Sequence, residues 1–326
     1  MVVTNVRERG APASGLATSL EVITPDGVRH PVWSVDLADD GEFARDFDLA
    51  DWRPELHTAL LRSAGDDGRD RVVAYHVTTG RTRDLRLPRR AISAALDPDG
   101  TGILMTLSGR DPTSRTVSQT WGGRRTRLPG TGGHPMTSVD GRILVTPTAE
   151  RHAWSIVDLR RRMAKDLLVP GFCSPIRWLD HDSVLTSCYA DAVNTLRSVH
   201  LGGGSTVLGP THRPGHARVH SYGDAVRAAG SRWYLAWSRR GELARGTRPN
   251  RVTRVPRTSF LMHLSRTPEG RLLLARSDST LEAPSFRAVL EVLDPTSRTK
   301  DVLVRLAPGQ AWRSVIGATE VRHWNP

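Results

Sequence analysis

Residues 96–111 read LDPDGTGILMTLSGRD. Asp97 and Asp99 stand either side of Pro98, just ahead of Gly100, and an apolar run follows at once. Such a stretch either opens a calcium loop or turns a hairpin. A calcium loop needs further oxygen ligands at fixed offsets and a late bidentate glutamate. Downstream come Ile103, Leu104, Met105 and Leu107, and no acid before Asp111. The stretch therefore reads as a turn between two strands.

Its counterparts recur along the chain. Turn-like stretches follow at SVDG (138–141), LDHD (179–182), SYGD (221–224), TPEG (267–270) and IGAT (316–319). Strand-like runs follow most of them, such as RILVT (142–146), SVLTSCY (183–189) and RLLLA (271–275). A second frame sits on the same repeat. Apolar segments end in Pro88, Pro129, Pro170, Pro210, Pro256 and Pro308, at spacings of 41, 41, 40, 46 and 52. Between successive prolines lie four short segments rich in Val, Leu and Ile, punctuated by Gly, Asp and Pro. No 3.6-residue stripe runs beyond two turns.

Four antiparallel strands per unit of roughly 40–50 residues is the pattern of a β-propeller blade. One meander cannot bury both faces alone, whereas stacked meanders bury them and leave only short edges. The fold expected is all-β: a seven-bladed β-propeller of four-stranded antiparallel blades, with six or eight as the alternative counts. Segment 42–88 forms the first blade, with DLADWRPEL as a longer connection, and five more follow to residue 308. The seventh is assembled from two N-terminal and two C-terminal strands, so pairing of the chain ends closes the ring. Residues 1–18 read as a flexible lead and 19–326 as a single domain.

The formal net charge is +12 and the pI about 11.0. Only Lys165 and Lys300 are lysines, which leaves 44 of the 46 basic residues as arginine. Arginine pairs bidentately with carboxylate and phosphate, so an acidic protein or a small anionic ligand is the expected partner. The run SRRGELARGTRPNRVTRVPR (238–257) carries no interleaved aromatic and reads as a solvated face, which places nucleic acid behind those partners. No apolar run approaches the ~20 residues of a membrane helix, and no signal peptide is legible, so a cytoplasmic monomer with no membrane insertion is expected.

Once these segments are set side by side, DPDGTGILMTL, SVDGRILVT and TPEGRLLLA resemble the turn-and-strand motif of TolB-like and WD40-like β-propellers. Ala74–Gly80, reading AYHVTTG, is similar to the segment that follows it in that pattern. No GH…WD pairing occurs, so the TolB-like type is the nearer likeness. The arginine-heavy composition resembles that of actinobacterial proteins. The resemblance implies a binding or scaffolding platform, in families that are often exported or envelope-associated and that include some lyases and hydrolases.

Candidate residues follow from the blade frame. Loops from one blade's last strand to the next blade's first gather at one end of a propeller and often bind. These loops supply Arg89, Arg90, His134, Cys173, His212, Arg213, His216, Arg257 and Trp312. A ring of Arg and His there would attract anions. His212, His216 and His220 are spaced by four, but Pro214 and Gly215 exclude a helical metal site, so no cofactor is expected and a divalent metal is only the lesser alternative. There is no G-x-S-x-G elbow, H-E-x-x-H, G-x-G-x-x-G or Walker loop. A non-enzymatic module is the leading reading. The alternative is a lyase or hydrolase on an anionic substrate, with His212 or His216 as acid/base. Cys173 and Cys188 would face each other across a two-residue hairpin loop at Asp180–His181, which leaves either a cross-strand disulfide or two half-buried thiols.

Overall fold

The computed structural model describes residues 2–8, 18–35, 47–63, 69–108, 114–131, 136–138, 140–147, 152–190, 193–209, 221–237, 241–248, 251–256, 260–267, 269–277, 287–308 and 310–317. Apart from one short 3-10 turn, Pro54–Leu56, the elements are strands. They are β1 (Val2–Glu8), β2 (Thr18–Ile23) and β3 (Arg29–Val35), then β4 (Phe47–Arg53), β5 (Thr58–Ser63), β6 (Arg71–His76) and β7 (Thr82–Arg86). Next come β8 (Ala91–Leu96), β9 (Gly102–Leu107), β10 (Arg115–Thr120), β11 (Arg125–Thr131), β12 (Met136–Thr137), β13 (Ile143–Pro147), β14 (Ala153–Asp158) and β15 (Met163–Leu168). β16 (Phe172–Trp178), β17 (Ser183–Ala190), β18 (Val193–His200) and β19 (Ser205–Val207) follow. The last are β20 (Ser221–Ala228), β21 (Ser231–Trp237), β22 (Gly241–Arg248), β23 (Arg251–Arg254), β24 (Leu261–Arg266), β25 (Leu272–Ser277), β26 (Ala288–Leu293), β27 (Lys300–Arg305) and β28 (Gln310–Gly317).

Among the described residues every sheet is four-stranded, and in all but the sheet β28-β1-β2-β3 the neighbours follow chain order, as in a propeller blade. The sequence shows why. The middle strands are apolar on both faces: β9 (GILMTL) and β26 (AVLEVL) are buried almost throughout. The fourth strands β7 (TRDLR) and β15 (MAKDLL) are largely exposed and carry charges, which keeps the open edges from pairing with other chains. Consecutive sheets pack through shared apolar clusters. Ala50, Leu60, Val72 and Leu87 meet Ala94, Ile103 and Met105, and Trp233, Leu243 and Val226 meet Leu264, Leu272 and Leu293.

The proline frame proves to be a strand terminator. The apolar residue just ahead of the proline folds into the core: Leu87, Leu128 and Val169 are buried, as are Leu208 and Leu306 two residues ahead. Its amide is bonded back to the third strand or the residue before it: Leu87 to the Asp70 carbonyl (2.7 Å), Val169 to His152 (2.8 Å), Leu208 to Leu196 (2.9 Å), Val255 to Leu243 (2.8 Å) and Leu306 to Ala288 (2.9 Å). Proline has no amide to continue the ladder, and the fourth strand ends before it in every unit but one: β11 runs on through Pro129 to Thr131.

The DPDG turn is the hairpin turn read from the sequence. Asp97 N–H bonds to the Gly102 carbonyl (3.0 Å), and Gly100, at φ +71°, donates to Asp97 (2.8 Å). Asp99 accepts from Thr101 N–H (2.9 Å) and Thr101 Oγ1 (2.6 Å), and Asp97 accepts from Ser118 Oγ (2.9 Å). Burial and then the neighbouring Asp99 raise the Asp97 carboxyl; burial also acts on Asp99, but its Thr101 bonds hold it below the usual range.

Several expectations are corrected. A seven-bladed count does not stand: five sheets, not seven, are continuous four-strand meanders lying wholly within one compact part of the chain. These are β4–β7, β8–β11, β12–β15, β20–β23 and β24–β27. The described chain falls into two compact units. The first holds residues 1–41, 189–197 and 207–319; the second holds 42–188, 198–206 and 320–326. Along the chain that division falls within β18. The sheet β28-β1-β2-β3 joins the chain ends as three N-terminal strands and one C-terminal strand rather than two and two. Its β1 is part of the stretch read as a flexible lead. The backbone pairs with both neighbours, Val2↔Ile23 and Val2↔Gly317. DLADWRPEL is not a connection either. It contains most of β4, whose register shifts between Leu49 and Asp51; a bulge of this kind turns two side chains toward one face and hides the alternation. SYGD lies inside β20, and the turn follows at Ala229 and Gly230.

Cys173 and Cys188 form a disulfide with Cα atoms 4.0 Å apart. Both are buried, beside Trp154, whose indole N–H donates to the Cys173 carbonyl (3.0 Å). Protein purified and unfolded without reductant is expected to show no thiol reactive toward Ellman's reagent, and two after reduction. Two reactive thiols before reduction would contradict the bond.

Candidate functional site

Of the residues named from the sequence, the structure places few in the open. Arg89 and Arg90 occupy the turn after β7 and are exposed. Trp312 is not a contact residue: it is 3% exposed and packs with Ile23, Leu290 and Val304. Cys173 is committed to the disulfide. His134, His212, Arg213, His216 and Arg257 lie outside the described residues. The described surface does contain a defined cleft, in the first unit, between the sheets β20–β23 and β24–β27.

This cleft has a volume of about 750 Å³ and is lined by Trp233, Arg245, Gly246, Thr253–Pro256, Leu293, Arg298 and Lys300. Its construction starts with strand register. Trp233 on β21 is the cross-strand partner of Arg245 on β22, which in turn faces Thr253 on β23. Trp233 is 1% exposed, with its indole N–H bonded to the Ala228 carbonyl (3.2 Å). The Arg245 guanidinium lies 5.3 Å from the centre of that ring, and its Nε donates to Ser231 Oγ (3.0 Å). A guanidinium placed over an indole is held by a cation–π contact of ~1 kcal/mol and can offer its remaining N–H groups to an anion.

The facing wall comes from the β26–β27 turn. Asp294 accepts from the amides of Thr296 (2.7 Å) and Ser297 (3.0 Å). These backbone bonds hold its carboxyl below the usual range. The turn puts Arg298 at φ +61°, with its amide on the Asp294 carbonyl (2.9 Å). A non-glycine residue there is uncommon, and the position projects the guanidinium outward, exposed. Arg254 is partly neutralised by Glu242, 2.9 Å away. Among the described residues the lining therefore holds four cationic side chains and no acidic one, over an apolar floor of Trp233, Leu293 and Val255. It offers anion recognition; among the described lining residues Thr253 supplies the hydroxyl and none is His, Cys, Asp or Glu.

Sequence reasoning passed over this cleft because the 238–257 run lacks an aromatic residue. The ring is one strand away: Trp233 and Arg245 meet only once the hairpin register is known. The signal that pointed there was the proline-terminated segment at 253–256, which forms part of the wall.

No protein-family model matches the chain. No curated protein matches its sequence. Among solved structures, a prolyl endopeptidase aligns over 96% of this chain and 50% of its own, with a TM-score of 0.63 at 9% identity. The periplasmic gluconolactonase PpgL of Pseudomonas aeruginosa aligns over 99% and 100%, with a TM-score of 0.56 at 13% identity. The likeness is one of fold. Together with the four-stranded sheets it gives a β-propeller. TolB from Acinetobacter baumannii also aligns, over 94% of this chain and 82% of its own, with a TM-score of 0.43 at 14% identity, too low to carry an argument. The chain spans half the length of the prolyl endopeptidase. Among the described residues, no helix is long and apolar enough to cross a membrane, and no three His, Cys, Asp or Glu side chains are grouped to hold a metal.

Proposed function

We propose that this propeller is a non-enzymatic, TolB-like binding module for an anionic partner, an acidic protein segment above all, seated in the cleft between β22–β23 and β26–β27. The observation that carries it is the Arg245 guanidinium over Trp233, in a lining whose described residues hold four cations and no acid. Among the described residues of that lining none is a His, Cys, Asp or Glu that could serve as general acid or base, which favours binding over a lyase or hydrolase there. The buried disulfide supports an oxidising compartment over the cytoplasm.

Titration calorimetry with hexaglutamate tests the site. Saturable binding is expected at low salt, weakening as salt is added. In Arg245→Gln/Arg298→Gln, affinity should fall at least about tenfold, since each charged hydrogen bond contributes roughly 1.5–3 kcal/mol. Equal binding by the double variant would remove the site. A twelve-nucleotide DNA binding more tightly than the peptide at equal salt would replace the acidic protein with nucleic acid.

A further inference from the structure

A second cleft, of about 410 Å³, lies in the other unit between the sheets β4–β7 and β8–β11. It is lined by Leu56, Ala74, Leu96 and Trp121 on the apolar side and by Glu55, Thr58, His76, Thr79, Arg81 and Arg83 on the polar side, with Gly100 of the DPDG turn at its rim.

Most of these groups are already occupied. Glu55 is paired with Arg53 (2.6 Å). Thr58 Oγ1 donates to the Leu56 carbonyl (2.7 Å). His76 Nδ1 is engaged with Thr78 Oγ1 (3.1 Å). Trp121 is pinned twice against the DPDG turn: its indole N–H bonds to the Gly100 carbonyl (2.9 Å) and its amide to Thr101 (3.1 Å). The indole is thus a fixed wall, not a mobile side chain. Arg81 holds its place through its backbone, whose carbonyl receives the His76 amide (3.0 Å). Arg83 is the cross-strand partner of Ala74 and so projects on the cleft side of β7.

We infer that this cleft is a separate ligand site for a small aromatic carboxylate. A rigid indole wall and a floor of Leu56, Ala74 and Leu96 take a flat apolar body. Arg81 and Arg83, both exposed, supply the fork geometry that a carboxylate accepts in two parallel hydrogen bonds. The volume lies within the range of small-molecule sites. The site is built from β4–β11 and shares no residue with the cleft of the proposed function.

The test uses 2-naphthoate and its neutral analogue naphthalene-2-methanol, titrated calorimetrically against the full chain. Saturable 2-naphthoate binding is expected, at least tenfold tighter than the alcohol. Arg81→Gln/Arg83→Gln should lose at least tenfold in affinity with an unchanged melting temperature, and Arg245→Gln should lose none. The inference is overturned if 2-naphthoate does not saturate, if the alcohol binds as well, if the double variant binds normally, or if Arg245→Gln removes the binding. Because both arginines are exposed, Arg83 on the edge strand β7 and Arg81 just ahead of it, the variant is expected to fold; Arg81→Lys/Arg83→Lys separates charge from fork geometry and should retain only part of the affinity.

Discussion

Arg53→Ala is expected to lower the free energy of unfolding by about 3–5 kcal/mol, the cost of breaking a buried ionic network from one side. Arg53 is fully buried at the end of β4. Its guanidinium donates to Thr137 Oγ1 (2.7 Å) and the Ser138 carbonyl (3.3 Å), at the end of β12, and pairs with Glu55 (2.6 Å). One side chain therefore ties the sheet β4–β7 to the sheet β12–β15. The site is closely packed, too. A Cβ on Gly141 would stand 2.4 Å from Pro98 Cβ and 3.2 Å from the Arg53 guanidinium. Removing the guanidinium leaves the Ser138 carbonyl and Thr137 hydroxyl buried beside a cavity, two penalties that add. Urea denaturation measures the loss, and Arg53→Lys should recover only part of it, since an ammonium cannot reach the same three acceptors at once. A midpoint within error of the unmodified protein would refute the tie.

The same network sets a pH signature. Two residues earlier, Asp51 accepts from the amides of Trp52 (2.9 Å) and Leu96 (2.8 Å). Burial pushes its pKa up to about 6, although Arg53 and these amides pull it back. In the unfolded chain an aspartate titrates near 3.9. Between about pH 4 and 6 the folded protein holds a proton that the unfolded chain has released, so stability falls as pH rises through this window, by up to ~3 kcal/mol. Below it the contribution is fully present. Arg53→Ala removes the charge that opposes the shift and should carry the window to higher pH. In Asp51→Asn this slope should vanish.

The legible part of the molecule was the part written in local chemistry. Pro88, Pro170 and Pro256 mark strand ends because proline cannot donate to a ladder, and Gly100 marks a turn because φ +71° suits it. These signals sit within four or five residues of their cause. What the sequence hid depends on distant strands. β1 reads as polar lead because its partners Ile23 and Gly317 are far along the chain. Arg53 reads as one more solvated arginine among 44, since nothing beside it announces Thr137. Trp312, offered as a contact residue, is core for the same reason: Leu290 and Val304 pack against it from another sheet, and Ile23, in its own sheet, lies far away in sequence. In an arginine-rich chain the residue type carries little information, and only register separates Arg245, stacked on Trp233, from Arg81 at an open edge.

Gly241→Ala is the second change expected to act strongly, at about 3 kcal/mol or more, near the upper end for overpacking. Gly241 opens β22 and leans on the first strand of the next sheet. A Cβ placed there would stand 1.9 Å from the Leu261 carbonyl oxygen and 2.9 Å from its carbon. That obstacle is backbone, so no rotamer change relieves it; β22 and β24 must move apart. Separation loosens the cluster that holds Leu235, Leu243, Leu261 and Leu264, the apolar contact between the two sheets that wall the basic cleft. The variant should therefore lose melting temperature and hexaglutamate affinity together. Gly202→Ala is the matched control, because a Cβ there meets nothing within 4 Å, and it should change neither. If Gly241→Ala melted like the control, close approach of β22 to Leu261 could not be what fixes the cleft. If it lost stability but bound hexaglutamate normally, the cleft walls would be held by the β26–β27 turn alone.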